Sequence, residues 1–364
     1  MKTPKSSFIY TFTIYLVSLT TKLAFKNVYR YFKNPVGKMD ISFPSVIIAN
    51  HVSETDIIAL SHVFPRLNPS CQFHFAMRQD IVEPDFLVKE FSPTGFLKWI
   101  LFLIDKTKII RFLLLYIGGI GVKRPFRDDA RKLMRDGELR NIVDAQWDSL
   151  ADGCKKGRNL FLFPEGKFSQ TGNLESIRKG VSILSEKIPN LNCTYVNFTY
   201  DYLQDGNPDL HIVFGEMNSL KNLNEKEIAD LIKEKLINHY AITSGNFFSY
   251  FLFQKSFKQG INFASLETNI SKLLNQLQLL SNKYFISEQL LKNQKSELQK
   301  FLNQAIQGKF ILEKDNLFYS TEKLERVEFK SLRELQNKNP YLYHANQLKN
   351  YRTEFDSIYS SISK

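Results

Sequence analysis

A histidine and an aspartate five positions apart are the pair best placed to move a proton. They stand in the run Asn50-His51-Val52-Ser53-Glu54-Thr55-Asp56. An imidazole changes charge near neutral pH, and a carboxylate on one ring nitrogen fixes which nitrogen carries the hydrogen. The other nitrogen is then free to take a proton from a hydroxyl. The chain has six histidines, at positions 51, 62, 74, 211, 239 and 344, and only His51 is followed by an aspartate at this distance. The spacing recurs by chance, so the setting carries the reading. Ser45–Ala49 (SVIIA) reads as a buried strand, and a helical pattern begins at about Ser53. His51 is therefore expected at the carboxyl end of a strand, where α/β folds build their sites. A surface turn followed by an acidic helix start is the plainer alternative.

A second group follows another buried run, Asn159–Phe163: Phe163-Pro164-Glu165-Gly166, then Lys167, Ser169, Gly172 and Arg178-Lys179-Gly180. Proline ends a strand and glycine permits a tight turn, which leaves Glu165 expected to face a cleft. A third group is Gly118-Gly119-Ile120-Gly121-Val122-Lys123-Arg124. Its glycines would let backbone approach a ligand, and the two cations suit a phosphate. It has neither the dinucleotide-binding glycine spacing nor a P-loop. A turn for the one and a solvated basic loop for the other are the plainer alternatives.

These groups need a scaffold to bring them together. Strand-like runs at Ser45–Ala49, Gln72–Met77, Ile117–Lys123, Asn159–Phe163, Asn192–Thr199 and Leu210–Phe214 alternate with helical stretches, one of them at about Asp136–Lys156. The alternation predicts an α/β fold with a largely parallel sheet flanked by helices. From about Glu225 strand signals fade, and Asn, Gln, Lys and Leu dominate. Leu266, Ile270, Leu273, Leu277, Leu280 and Tyr284 are spaced three and four apart, which predicts helices packed as a bundle. Ile311–Tyr319 reads as a short extended interruption.

The formal charge of +12 favours an anionic partner: nucleic acid, an anionic membrane surface or an acidic substrate. No nucleic-acid recognition motif is present, so that class is set aside. Three distant cysteines exclude a disulfide framework and a cysteine zinc site. The first acidic residue is Asp40, preceded by seven Lys or Arg and the apolar run FIYTFTIYLVSL. That run is too short and too rich in hydroxyls to span a bilayer. Lys22, Lys26, Arg30 and Lys33 would form one basic stripe on a helix ended by Pro35. The prediction is an amphipathic helix lying in an anionic interface. Gly95–Ile120, two apolar stretches split by Asp105, Lys106 and Lys108, reads either as a hairpin dipping into one leaflet or as two core helices. The expected divisions are 1–35 for the membrane helix, 36–224 for the α/β domain and 225–364 for the helical domain.

Taken together, the motifs resemble the glycerolipid acyltransferase family, typified by lysophosphatidic acid acyltransferases. Asn50, His51 and Asp56 match its Asn-His-x4-Asp motif. Gly119 to Arg124 loosely match its Gly-x-Ile/Val-x-x-Arg strand. Phe163, Pro164, Glu165, Gly166 and Ser169 match Phe-Pro-Glu-Gly-Thr-Arg-Ser, and Lys179-Gly180 a trailing basic-Gly element. The likeness covers Lys26 to Gly215. Lys167 and Phe168 stand where the family has Thr and Arg. Cys193–Phe198 lacks the proline of its Val-Pro-Val strand, and Gly95–Ile120 lengthens the interval between the first and third motifs.

The resemblance implies direct transfer of a fatty acyl group from acyl-CoA or acyl carrier protein to the free hydroxyl of 1-acyl-glycerol-3-phosphate. The alternatives are glycerol-3-phosphate or another lysophospholipid as acceptor, or a non-catalytic lipid-binding scaffold. On the implied mechanism His51 is the general base and Asp56 orients it. Lys123, Arg124, Glu165, Gly166, Lys167 and Ser169 form the acceptor and phosphate site. No metal, cofactor or covalent intermediate is implied, and the chain has neither a GxSxG nor an HExxH motif. The expected location is the cytoplasmic face of a membrane, without spanning it. The expected partners are membrane lipids and the acyl donor, and the C-terminal helices are available to bind a protein or to self-associate.

Overall fold

The structure is a computed structural model. It describes residues 8–33, 37–53, 55–68, 71–78, 88, 95–122, 138–280 and 283–362. Lys123 and Arg124 lie outside the described residues.

Seven strands form the central sheet. In chain order they are β1 (Val28–Phe32), then, past a two-residue strand β2 (Met39–Asp40), β3 (Ser45–Ala49) and, past β4 (Leu67–Asn68), β5 (Phe73–Arg78), β6 (Gly119–Val122), β7 (Asn159–Leu162), β8 (Asn192–Asp201) and β9 (Asp209–Ser219). Their order across the sheet is β1-β9-β8-β3-β7-β5-β6. Every pairing is parallel except β8 with β9. β3, in the middle, is buried on both faces, which is why SVIIA is an uninterrupted apolar run.

Alternate side chains feed two cores. Ile47, Phe161, Val196, Phe198 and Ile212 pack with Tyr10 and Ile14 of α1 (Phe8–Ala24) and Ala59 of α2 (Asp56–Ala59). The next two helices, α3 (Gly95–Thr107) and α4 (Ile109–Tyr116), form the hairpin before β6. On the other face Val46, Ile48, Leu160 and Cys193 pack with Leu150 of α5 (Glu138–Lys155), Leu184 of α6 (Gly180–Lys187) and Ile228 and Ile232 of α7 (Glu225–Ile237).

Three expectations need correction here. The predicted basic helix does not run to Pro35: α1 ends at Ala24, and Val28–Phe32 is an edge strand paired with Leu210–Phe214. The run VYRYF is rich in β-branched and aromatic residues, and tertiary pairing overrides the spacing of the cations. Arg30 instead meets His62 Nδ1 at 2.7 Å, and Lys33 pairs with Glu216 at 3.8 Å. The expected divisions after 35 and 224 move as well, because β1 belongs to the sheet and α7 packs beneath it.

The third correction concerns the glycines at 118–121. A Cβ on Gly118 (φ +102°) would collide with Phe73 O, and one on Gly119 would meet the Met77 side chain and Leu114 O. Gly118 and Gly119 let β6 and its approach close on β5, a packing role that the sequence reading did not assign them.

Beyond α7 the chain is mainly helical. Its main helices are α8 (Ser244–Leu252), α9 (Phe263–Leu279), α10 (Gln294–Gln307), α11 (Leu332–Lys338), α12 (Pro340–Gln347) and α13 (Arg352–Ile362). Phe247, Phe251, Ile270, Leu273, Leu302 and Phe355 build the main core, while Leu332 and Leu335 of α11 pack separately with Tyr343. The heptad-like run lies on α9 only from Leu266 to Leu277, since the helix stops at Leu279; Leu280 is exposed and Tyr284, past the helix, is buried again. The extended interruption is a hairpin of Ile311–Lys314 with Leu317–Ser320.

Candidate active site

The register of the sheet assembles the site. Ile48 of β3 pairs with Leu162 of β7, so His51 and Glu165 both stand three residues beyond one rung. The His51 loop is a tight turn wrapped around a carboxylate. Asp56 Oδ2 accepts hydrogen bonds from Val52 N at 2.9 Å and Ser53 N at 3.0 Å, and meets His51 Nδ1 at 2.8 Å. Its other oxygen accepts the Tyr200 hydroxyl at 2.5 Å. Asp56 is fully buried, and a carboxylate in this setting can only accept, so the hydrogen sits on His51 Nδ1. Burial, together with the Asp56 charge, pushes the Tyr200 hydroxyl well above its usual range and keeps it a donor.

Both faces of the imidazole are covered. The Phe163 ring stacks at 4.0 Å and 11°, and the Phe168 ring lies 3.9 Å away at 34°. Two rings this close cannot share one face, so they flank the histidine. The side chain is 10% exposed, and among the described residues no partner takes Nε2. The arrangement holds one ring nitrogen by a carboxylate and leaves the other as an open acceptor.

Glu165 departs from expectation. Instead of facing a cleft it is completely buried, accepting His51 N at 2.9 Å and Glu175 N at 2.8 Å. Burial pushes its carboxyl up to about 7, with a smaller push from the Asp56 and Glu175 charges, against the two N–H donors. Ser169 is buried too. Its N donates to His51 O at 2.8 Å, and its hydroxyl donates to Asn173 O while accepting Gly172 N. Both residues brace the two loops against each other.

Gly166 turns with φ +67°, and its open side lies beside the Arg178 stem. Lys167 is partly exposed, with Nζ 3.9 Å from Glu175. Of the six expected acceptor-site residues, the structure brings Glu165, Gly166, Lys167 and Ser169 to this loop; Lys123 and Arg124 are the two outside the described residues. Among the described residues no group of three or more His, Cys, Asp or Glu side chains could hold a metal ion.

Residues 32–196 match the family model described as Acyltransferase. The chain carries an acyltransferase domain. The matched segment runs from the end of β1 into β8. A crystal structure of the 1-acyl-sn-glycerophosphate (LPA) acyltransferase PlsC from Thermotoga maritima is similar over 62% of this chain and 78% of that one. The two share 14% identity, with a TM-score of 0.39. None of the curated proteins compared with the acyltransferase matches it.

Sequence reasoning missed the roles of several residues here. Asn50 uses its amide like a strand residue, donating to Phe198 O at 2.8 Å and accepting Phe198 N at 2.7 Å, which locks the loop to β8. Tyr200 offers no local signal, since it is 144 positions from Asp56. Phe168 looked like the mere loss of an arginine, yet it covers one face of the acyltransferase's histidine.

Proposed function

We propose that the protein transfers a fatty acyl group from an acyl thioester, on CoA or acyl carrier protein, to the free hydroxyl of 1-acyl-glycerol-3-phosphate at a membrane surface. The buried His51–Asp56 pair with its open Nε2 carries this reading. Nε2 takes the hydroxyl proton as the oxygen attacks the thioester carbonyl, and Asp56 favours the imidazolium that forms. The carbon–sulfur bond then breaks, and the proton passes from Nε2 to the departing thiolate. Lys167 and Arg178, whose stem lies beside Gly166, supply positive charge at this loop, and Lys123 and Arg124 are proposed as further phosphate ligands.

A second reading has its own support. Phe168 places an apolar ring where the family carries arginine, which favours an acceptor without a terminal phosphate at that position. Radiolabelled palmitoyl-CoA offered with lysophosphatidate, lysophosphatidylcholine or glycerol-3-phosphate separates the cases. Labelled phosphatidate, lost in His51→Ala, is the expected product. Transfer to lysophosphatidylcholine alone moves the second reading ahead, and transfer to none of the three overturns both.

The proposed membrane contacts are apolar side chains left outside the cores. α1 is docked through Tyr10 and Ile14, yet exposes Phe8, Phe12, Tyr15, Leu16 and Leu19. The hairpin of α3 and α4, which turns at Lys108 (φ +55°), exposes Phe96, Trp99, Phe112 and Leu115. No helix among the described residues is long and apolar enough to cross a membrane. Exposed apolar faces beside basic residues suit one interface, entered from one side. Each nearby Lys or Arg should add about 1 kcal/mol on anionic lipid. Binding to phosphatidylserine vesicles should therefore weaken with salt without vanishing, and complete release by salt would remove the apolar contribution.

A further inference from the structure

Helix α12, outside the family match, reaches the neighbours of the histidine–aspartate pair by three routes. Gln347 Nε2 donates to Tyr200 O at 3.2 Å, and the Tyr200 hydroxyl donates to Asp56. His344 Nε2 accepts Tyr202 N at 3.1 Å, the Tyr202 hydroxyl lies 3.0 Å from Ser53 Oγ, and Ser53 N donates to Asp56. On the far side, Asn346 Nδ2 donates to Thr171 O at 2.8 Å. Asn350, just past the helix, donates to Asn173 Oδ1 at 2.9 Å. That loop is gathered on the Ser169 hydroxyl, and Ser169 N holds His51 O. The Tyr343 ring closes the loop from above. Gly172 sits at φ +85°, and a Cβ there would come within 2.6 Å of Tyr343 Cδ2.

The side chains agree with this geometry. His344 is fully buried, and its Nδ1 faces Gln347 Oε1 at 3.3 Å. Nδ1 therefore carries the hydrogen, and Nε2 is the acceptor that Tyr202 N requires. Desolvation holds the ring below the usual histidine range, so it remains neutral. The His344 and Gln347 contacts reach backbone groups at and just past the end of β8, and the Asn346 contact reaches the backbone of the Ser169 loop at its exposed rim.

We propose that α12 is a positioning element of the acyltransferase site, with His344, Asn346 and Gln347 as positioning residues that fix the angle and depth of His51 and Asp56. The helix is then part of the machinery although none of its side chains meets the reacting atoms. This deepens the acyl-transfer reading above and rests on it.

The test uses the full chain on phosphatidylserine vesicles, with palmitoyl-CoA and lysophosphatidate as probes. Asn346→Ala removes an exposed hydrogen bond and should leave the melting temperature in place. Its kcat should fall about tenfold or more with both KM values unchanged, the pattern of a misplaced catalytic group. His344→Gln keeps an acceptor for Tyr202 N and should retain most activity, whereas His344→Leu should not. The His51 Nδ1–H proton resonance gives a readout independent of turnover, and it should shift or broaden in Asn346→Ala and His344→Leu. An unchanged resonance in Asn346→Ala overturns the proposal, and so does an unchanged kcat in an active protein. An inactive wild type counts against the acyl-transfer reading, and the resonance still decides whether α12 positions the pair.

Discussion

Two buried carboxylates stand side by side in this molecule and are used differently. Asp56 and Glu165 are both fully buried, each beyond the end of a central strand, and each accepts two backbone N–H groups. Asp56 spends its remaining capacity on an imidazole and a phenol. Glu165 has neither, and its N–H donors come from two different loops. Burial and charge alone do not mark a catalytic carboxylate; what matters is whether it faces a group that can change protonation state. Asp56 acts on a ring, whereas Glu165 ties one loop to the other.

The comparison breaks most decisively at Asp56. Asp56→Asn puts an amide where three donors converge and disturbs the tautomer of His51. Acyl transfer should fall by about 10⁴ in kcat, as for a comparable orienting aspartate, with the far-ultraviolet dichroism unchanged. A loss below tenfold would place Asp56 with Glu165 as a brace. Tyr200→Phe removes a hydrogen bond to a charged group, costing about 1.5–3 kcal/mol, and should lower kcat ten- to a hundredfold. Equal kcat in this variant and the parent would detach the phenol from the pair.

Glu165→Gln sharpens the other side. One of its two N–H donors loses its acceptor, so the fold should lose about 1–3 kcal/mol in urea unfolding. The effect depends on pH with a definite sign. The folded carboxyl is raised to about 7 from an ordinary 4.5. Its contribution is full below the unfolded value and is lost as pH rises through about 7. The destabilisation by Glu165→Gln should thus be greater at pH 5 than at pH 8, and the reverse order would mean that the native carboxylate stays charged throughout. The smallest effect belongs to Phe168→Ala, which uncovers one face of His51. Losing a ring contact of about 0.5–1.5 kcal/mol should cost three- to tenfold in kcat at most. A gain in turnover with lysophosphatidate would show that the ring obstructs the acceptor.

Much of the sheet was legible because its strands are local apolar runs ended by proline, glycine or asparagine, as at Asn159–Leu162 before Pro164. Val28–Phe32 was not, because a strand at an edge is defined by its partner, and its cations fall at helical spacing by coincidence. The histidine–aspartate pair could be read for a similar reason: five residues and one turn contain it. Glu165 was legible as a residue and misread as a role, since only the neighbouring loop reveals what its oxygens accept. Tyr200 and Tyr202 lay beyond sequence reasoning, because the contacts that give them meaning span more than a hundred positions.

The two rings that flank His51 bear on the order of events during turnover. An imidazole gripped on both faces and tethered at one nitrogen has no room to swing. On the proposed mechanism a base that cannot travel must meet the hydroxyl and the sulfur at the same edge. Donor and acceptor then have to be present together before either bond changes, and the free thiol cannot leave ahead of the second substrate's arrival. Initial-rate plots against one substrate, at several fixed levels of the other, should intersect, whereas parallel lines would point to an acylated form of the protein and a different nucleophile.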